Sequence, residues 1–171
     1  MDLHRVVAVR GSAGPGSGYV LHGRVVLTSA HVVGETGTTV ELFFPGRAGV
    51  YAGVVVWRGT PGGRDDAALM RVEDEEWTPL AGAMVRWGRT VTHRSGIRCE
   101  TSGLPDVVQG PGQPAELLQP SGTLNPGDRY VGDRYLMSLD QSLAVDGEGS
   151  PWGGLSGAAL FCGDLLAGGR R

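Results

Sequence analysis

The stretch Gly18-Tyr19-Val20-Leu21-His22-Gly23-Arg24-Val25-Val26-Leu27-Thr28 sets two strand-length apolar segments on either side of a polar break centred on Gly23. Each segment is short, rich in β-branched or aromatic residues and closed by punctuating residues, which is the pattern of a strand rather than a helix. Working outward, stretches of the same kind lie at 5–9, 39–44, 50–57 and 67–72, and again at 97–101, 134–139 and 158–161. No 3.6-residue pattern persists beyond 30–34. The 30 glycines and 10 prolines show no collagen-like period, so they read as turns between many short elements. The expectation is an all-β chain built as a two-lobed antiparallel β-barrel.

Length sets one globular domain of 171 residues. The acidic turn Glu73-Asp74-Glu75-Glu76 before Trp77 is the expected boundary between an N-terminal β lobe, 1–76, and a C-terminal β lobe, 77–171. Between the later strands, 103–133 is dense in Gly, Pro and Gln and reads as a long surface excursion.

Charge narrows the partners. Fifteen basic residues against eighteen acidic ones give a formal charge of -3, all the basic residues are Arg, and no basic run exists to track phosphates. Nucleic acid and membrane are therefore not expected as partners. Without Lys there is no Gly-Lys-Ser/Thr phosphate loop. The glycine-rich 11–18 stretch leads into a strand instead of a helix, so it reads as a connecting loop and not a phosphate cradle. The apolar run after Arg5 is too short for a signal peptide or a spanning helix, which makes a cytoplasmic location the expectation. Cys99 and Cys162 lack CxxC spacing and read as buried thiols, and no HExxH pattern occurs, so neither a metal nor another cofactor is expected.

Three segments carry the residue types that make a neutral hydroxyl attack a carbonyl. They are Leu27-Thr28-Ser29-Ala30-His31-Val32-Val33, Asp65-Asp66-Ala67-Ala68-Leu69-Met70 and Gly153-Gly154-Leu155-Ser156-Gly157-Ala158-Ala159-Leu160. Each sets a polar group among apolar neighbours, so a strand or its end can hold that side chain in place. Two aspartates compete for the acid role. His4, His22 and His93 lie in no motif and are expected at the surface or in packing.

In their order, His then Asp then Ser, these motifs resemble the chymotrypsin-like (trypsin-fold) serine peptidases, and the resemblance runs from Gly16-Ser17-Gly18-Tyr19 to Leu166. It implies His31 as general base, Asp66, directly before the Ala67-Ala68-Leu69 strand, as the acid orienting it, and Ser156 as nucleophile. Asp65 is then a loop carboxylate. The backbone N–H groups of Gly154 and Ser156 would form the oxyanion hole, and Ser150 and Trp152 would stand at the substrate pocket. An uncharged Ser150 there would favour small or apolar side chains.

Two departures matter. Leu155 occupies the position before the nucleophile, where the family often has an acid that pairs with a new N-terminal amine, so that activation device is not expected. Trp152-Gly153-Gly154-Leu155-Ser156-Gly157-Ala158-Ala159-Leu160-Phe161 instead resembles bacterial cytoplasmic trypsin-like domains that head multidomain chains. Few residues follow Ser156, so the second lobe is expected to be truncated at its C-terminus and to need a missing C-terminal segment or a regulatory partner. The implied activity is serine endopeptidase action on a protein or peptide substrate through an acyl-enzyme. The alternative is a weakly active or inactive trypsin-like module used for protein interaction in a signalling or defence assembly, and an esterase is a third option.

Overall fold

The structure, a computed structural model, describes residues 1–46, 49–80, 82–106, 109, 115–129, 135–141, 150 and 152–169. A single 3-10 turn, Leu3–Arg5, precedes the first of twelve described strands. Six of them, β1 (Val6–Gly11), β2 (Gly14–His22), β3 (Val25–Thr28), β4 (Thr39–Phe43), β5 (Tyr51–Arg58) and β6 (Ala68–Val72), close a barrel in the order β1-β2-β3-β6-β5-β4. The remainder are β7 (Arg86–Trp87), β8 (Ile97–Thr101), β9 (Ser121–Leu124), β10 (Met137–Leu139), β11 (Ala159–Cys162) and β12 (Leu165–Gly169), and they form a second sheet in the order β10-β9-β8-β11-β12-β7. Read around the barrel, β3-β2-β1-β4-β5 has the same pairing order as β10-β9-β8-β11-β12. The second lobe thus repeats the first up to its fifth strand, with β7 laid parallel on the β12 edge.

The apolar pattern explains how the lobes join. Successive strand side chains point to opposite faces. In β1 this sends Val7 and Val9 into the barrel core with Val20, Val26, Leu42, Val55 and Met70, while Val6 faces outward. There it meets Tyr19 and Leu27 from the first lobe and Leu104, Ala159, Phe161 and Leu166 from the second. The Tyr19 and Phe161 rings are tilted at 5.1 Å between centroids. A strand buried on both faces loses its alternation, which is why Val6-Val7-Ala8-Val9 reads as one continuous apolar run. A third cluster, Cys99, Leu124 and Leu160 with Ile97, Met137 and Cys162, fills the second sheet, and both cysteines are free thiols.

Several expectations shift in detail. The 11–18 stretch is a hairpin rather than a loop, since Gly11 pairs with Gly14 across a two-residue turn and β2 begins at Gly14. The 103–133 segment is not one excursion: β9 lies within it, and Gly103 bridges Leu118. β9 carries no apolar strand pattern, because Ser121-Gly122-Thr123-Leu124 is largely polar and Gly122 is required by the partner strand, where an added Cβ would lie 2.1 Å from the Ser138 carbonyl oxygen. The tenth strand is shorter than expected, with Arg134 outside the described residues. The apolar end at 162–166 extends through β12 to Gly169. Trp77, just past the expected lobe boundary, packs with Phe44 in the first barrel at 4.7 Å, so that lobe's packing reaches beyond residue 76. Among the described residues no helix is long and apolar enough to cross a membrane.

Candidate active site

Antiparallel register brings the first two motifs together. Thr28, the last residue of β3, pairs with Ala68, the first of β6. The chain three residues beyond β3 and the chain two residues before β6 therefore emerge at the same end of the barrel. They carry His31 and Asp66. His31 sits on a turn closed by Val32 N donating to the Ser29 carbonyl at 3.2 Å and flanked by buried Ala30, Val32 and Val33. Arg58 Nε donates to the Ala30 carbonyl at 3.1 Å, which fixes that turn from β5.

The Asp66 carboxylate is almost fully buried, at 2% side-chain exposure, and it grips His31 with both oxygens. Oδ1 accepts the His31 backbone N–H at 3.0 Å and Oδ2 lies 2.7 Å from Nδ1. A carboxylate only accepts, so Nδ1 carries the proton and Nε2 is left as an acceptor. Asp65 is exposed, and its own N–H and that of Thr60 hold its carboxyl below the usual carboxylate range.

Ser156 reaches this place from the second lobe. Its carbonyl accepts the Ser17 N–H at 2.7 Å, and Gly157 packs against the end of β3. Gly157 has φ +88°, and a Cβ there would fall 2.2 Å from the Ser17 carbonyl oxygen and 2.3 Å from Thr28 Oγ1. Only glycine fits so close an approach. The Gly-Leu-Ser-Gly motif is thereby seated against Ser17, Thr28 and Ser29, the last two within three residues of His31.

Gly154 also has a positive φ, +78°, and a Cβ there would fall 2.6 Å from the Leu104 carbonyl oxygen. Among the described residues, neither the Gly154 N–H nor the Ser156 N–H donates to a protein acceptor. Two such amides, flanking a buried Leu155, leave donors for a developing negative charge. Ser150 is exposed at the entry to this loop, its Oγ accepting Trp152 N–H at 3.3 Å and its carbonyl accepting Gly153 N–H at 3.0 Å. Trp152 is half-buried, and Pro151 and residues 142–149 lie outside the described residues. His4, His22 and His93 are exposed.

Sequence reading passed over Ser17, Leu104 and Asp106, which contact the glycine-rich loop. The available signal was a single hydroxyl, Ser17, set between two glycines inside an otherwise apolar strand.

No protein-family model matches the chain, and no curated protein matches it. Solved structures do resemble it in shape. Human heparin binding protein aligns with a TM-score of 0.65 at 16% identity, covering 99% of this chain and 80% of that one. The Rv3671c protease of M. tuberculosis, in its inactive form, gives 0.60 at 17% identity, covering 98% and 74%. The serine protease of human pathogenic astrovirus gives 0.59 at 14%, covering 98% and 80%. The all-β, two-lobed chain has the fold of the chymotrypsin-like serine proteases.

Proposed function

We propose that this chain is a serine endopeptidase in which His31, Asp66 and Ser156 act as base, orienting acid and nucleophile. The observation that carries the reading is the two-point grip of buried Asp66 on His31, 2.7 Å to Nδ1 and 3.0 Å to the backbone N–H. A carboxylate that fixes both ring tautomer and turn leaves Nε2 available to accept a proton.

In the forward step Ser156 Oγ forms a bond to the scissile carbonyl carbon as its proton passes to His31 Nε2. The carbonyl electron pair moves onto oxygen, where the Gly154 and Ser156 N–H groups donate to it. His31 then gives the proton to the leaving amine as the C–N bond breaks and the acyl-enzyme forms. Water repeats the sequence to release the acid and restore Ser156. Each oxyanion donor contributes on the order of 100- to 1000-fold in turnover.

Substrates in this reading are protein or peptide chains, with Ser150 and Trp152 at the pocket. The likeness of Trp152 through Phe161 to bacterial cytoplasmic trypsin-like domains supports a place at the head of a larger, regulated cytoplasmic chain. The net charge of -3 supports neither nucleic acid nor an anionic membrane as partner. The test is a fluorophosphonate probe on the parent and on Ser156→Ala, with turnover of a peptide library. Labelling of the parent at Ser156, lost together with proteolysis in the variant, is the expected result. A folded parent that neither labels nor cleaves would instead support an interaction module.

A further inference from the structure

The loop that carries the two free amides is held by its carbonyls. In a trans peptide the N–H points opposite to the C=O of the same unit, so pinning one aims the other. The Gly153 carbonyl accepts Asp106 N–H at 2.8 Å, which directs the Gly154 N–H away from Asp106. The Leu155 carbonyl accepts Ala158 N–H at 3.0 Å, which does the same for the Ser156 N–H. Between them, the Gly154 carbonyl accepts Ser17 Oγ–H at 2.8 Å. Ser17 also donates its backbone N–H to the Ser156 carbonyl at 2.7 Å. Four successive peptide units are thus pinned, and Ser17 pins two of them.

Ser17 is fully buried on β2 of the first lobe, whereas both groups it holds belong to the second. Its Oγ accepts the Leu104 N–H at 2.9 Å, so the hydroxyl proton is committed to the Gly154 carbonyl. Space for that hydroxyl is kept by Gly103, where a Cβ would stand 2.4 Å from Ser17 Oγ and 2.7 Å from Leu155 Cδ1. Leu155 itself is wholly buried and apolar, so no charge at that position holds the loop.

We infer that Ser17 is a positioning residue for the oxyanion hole: its side-chain hydroxyl locks the Gly154 peptide across the lobe interface and so keeps the hole assembled without an ion pair. This rests on the peptidase reading above. Removing the hydroxyl leaves the Gly154 carbonyl and the Leu104 N–H unsatisfied in a buried site, and the loop relaxes by turning its peptides. Ground-state binding of substrate does not use the hole fully, while the tetrahedral intermediate does. The loss therefore falls on kcat and spares KM.

The experiment compares the parent with Ser17→Ala and Ser17→Cys. The readouts are kcat and KM on one cleaved peptide, affinity for a peptide aldehyde matched to it, and Tm. Ser17→Ala is expected to lower kcat about 10- to 100-fold and weaken the aldehyde by a similar factor, with KM within about threefold. Should Ser17→Ala fail to fold, Ser17→Cys decides, because the thiol keeps the shape but donates weakly. A Ser17 variant that folds with kcat and aldehyde affinity within twofold of an active parent overturns this inference alone. A parent that neither labels with fluorophosphonate nor turns over overturns the peptidase reading and this inference with it.

Discussion

Replacing Asp66 by Asn changes one atom pair and tests the heart of the site. The amide has two orientations. With its oxygen on Nδ1, the NH2 group faces the His31 backbone N–H across what is now a 3.0 Å acceptor contact, setting donor against donor. At 2% exposure no water relieves this, so the orientation costs about 1–3 kcal/mol. With the amide reversed, both contacts to His31 are satisfied, but NH2 must donate to Nδ1 across the 2.7 Å contact. The ring proton is then forced to Nε2, which can no longer accept from Ser156. The second orientation wins, and productive catalysis requires a return from it at about 2 kcal/mol.

A further loss arises in the transition state, where the imidazolium no longer faces a carboxylate. Charge centres about 4 Å apart at an effective dielectric of about 20 interact by about 4 kcal/mol. The two terms together make about 6 kcal/mol, or about 10⁴ in kcat/KM at 1.36 kcal/mol per tenfold. Steady-state kinetics of Asp66→Asn beside Asp65→Asn gives the measurement, with Tm as the control for folding. Asp65 is exposed and its carboxyl is engaged by its own turn, so its variant should turn over within threefold of the parent. A value for Asp66→Asn within tenfold of the parent would refute the tautomer argument, and a large loss at Asp65 would mean that the wrong aspartate has been assigned.

Two further outcomes test the frame around the site. Phe161→Ala removes a 3%-exposed ring from the inter-lobe cluster, and urea unfolding should show about 3–5 kcal/mol lost, with a loss below about 0.5 kcal/mol counting against that packing. The Cys99 thiol is pushed up to about 11 by burial, with neighbouring Cys162 adding to it, and burial also raises Cys162. Both should resist iodoacetamide at pH 8 in the folded chain and react after denaturation. Because the folded value lies above the unfolded one near 8.5, this contribution to stability is complete below that pH and fades as pH rises toward about 11. Native labelling as fast as a free thiol, or stability flat from pH 8 to 11, would contradict the burial.

The sequence by itself determined the strand-rich character and the residues able to do chemistry. Short β-branched runs broken by Gly and Pro can bury apolar faces only as strands, and His31, Asp66 and Ser156 each stand in a local pattern legible without any fold. It could not determine how those patterns meet. The pairing of Thr28 with Ala68 is a matter of register, and register is set by barrel closure rather than by neighbours along the chain. Polar β9 and two-residue β7 were invisible for a related reason, since their place is dictated by the partner strands and not by their own composition. The same holds for Ser17. Alone between two glycines it is an ordinary hydroxyl, and only the packing of one lobe on the other brings residues 87 and 137 positions away within its reach. Local propensity acts over a few residues, whereas hydrogen bonds that hold a reacting loop span the whole chain, so they are decided where the two lobes touch.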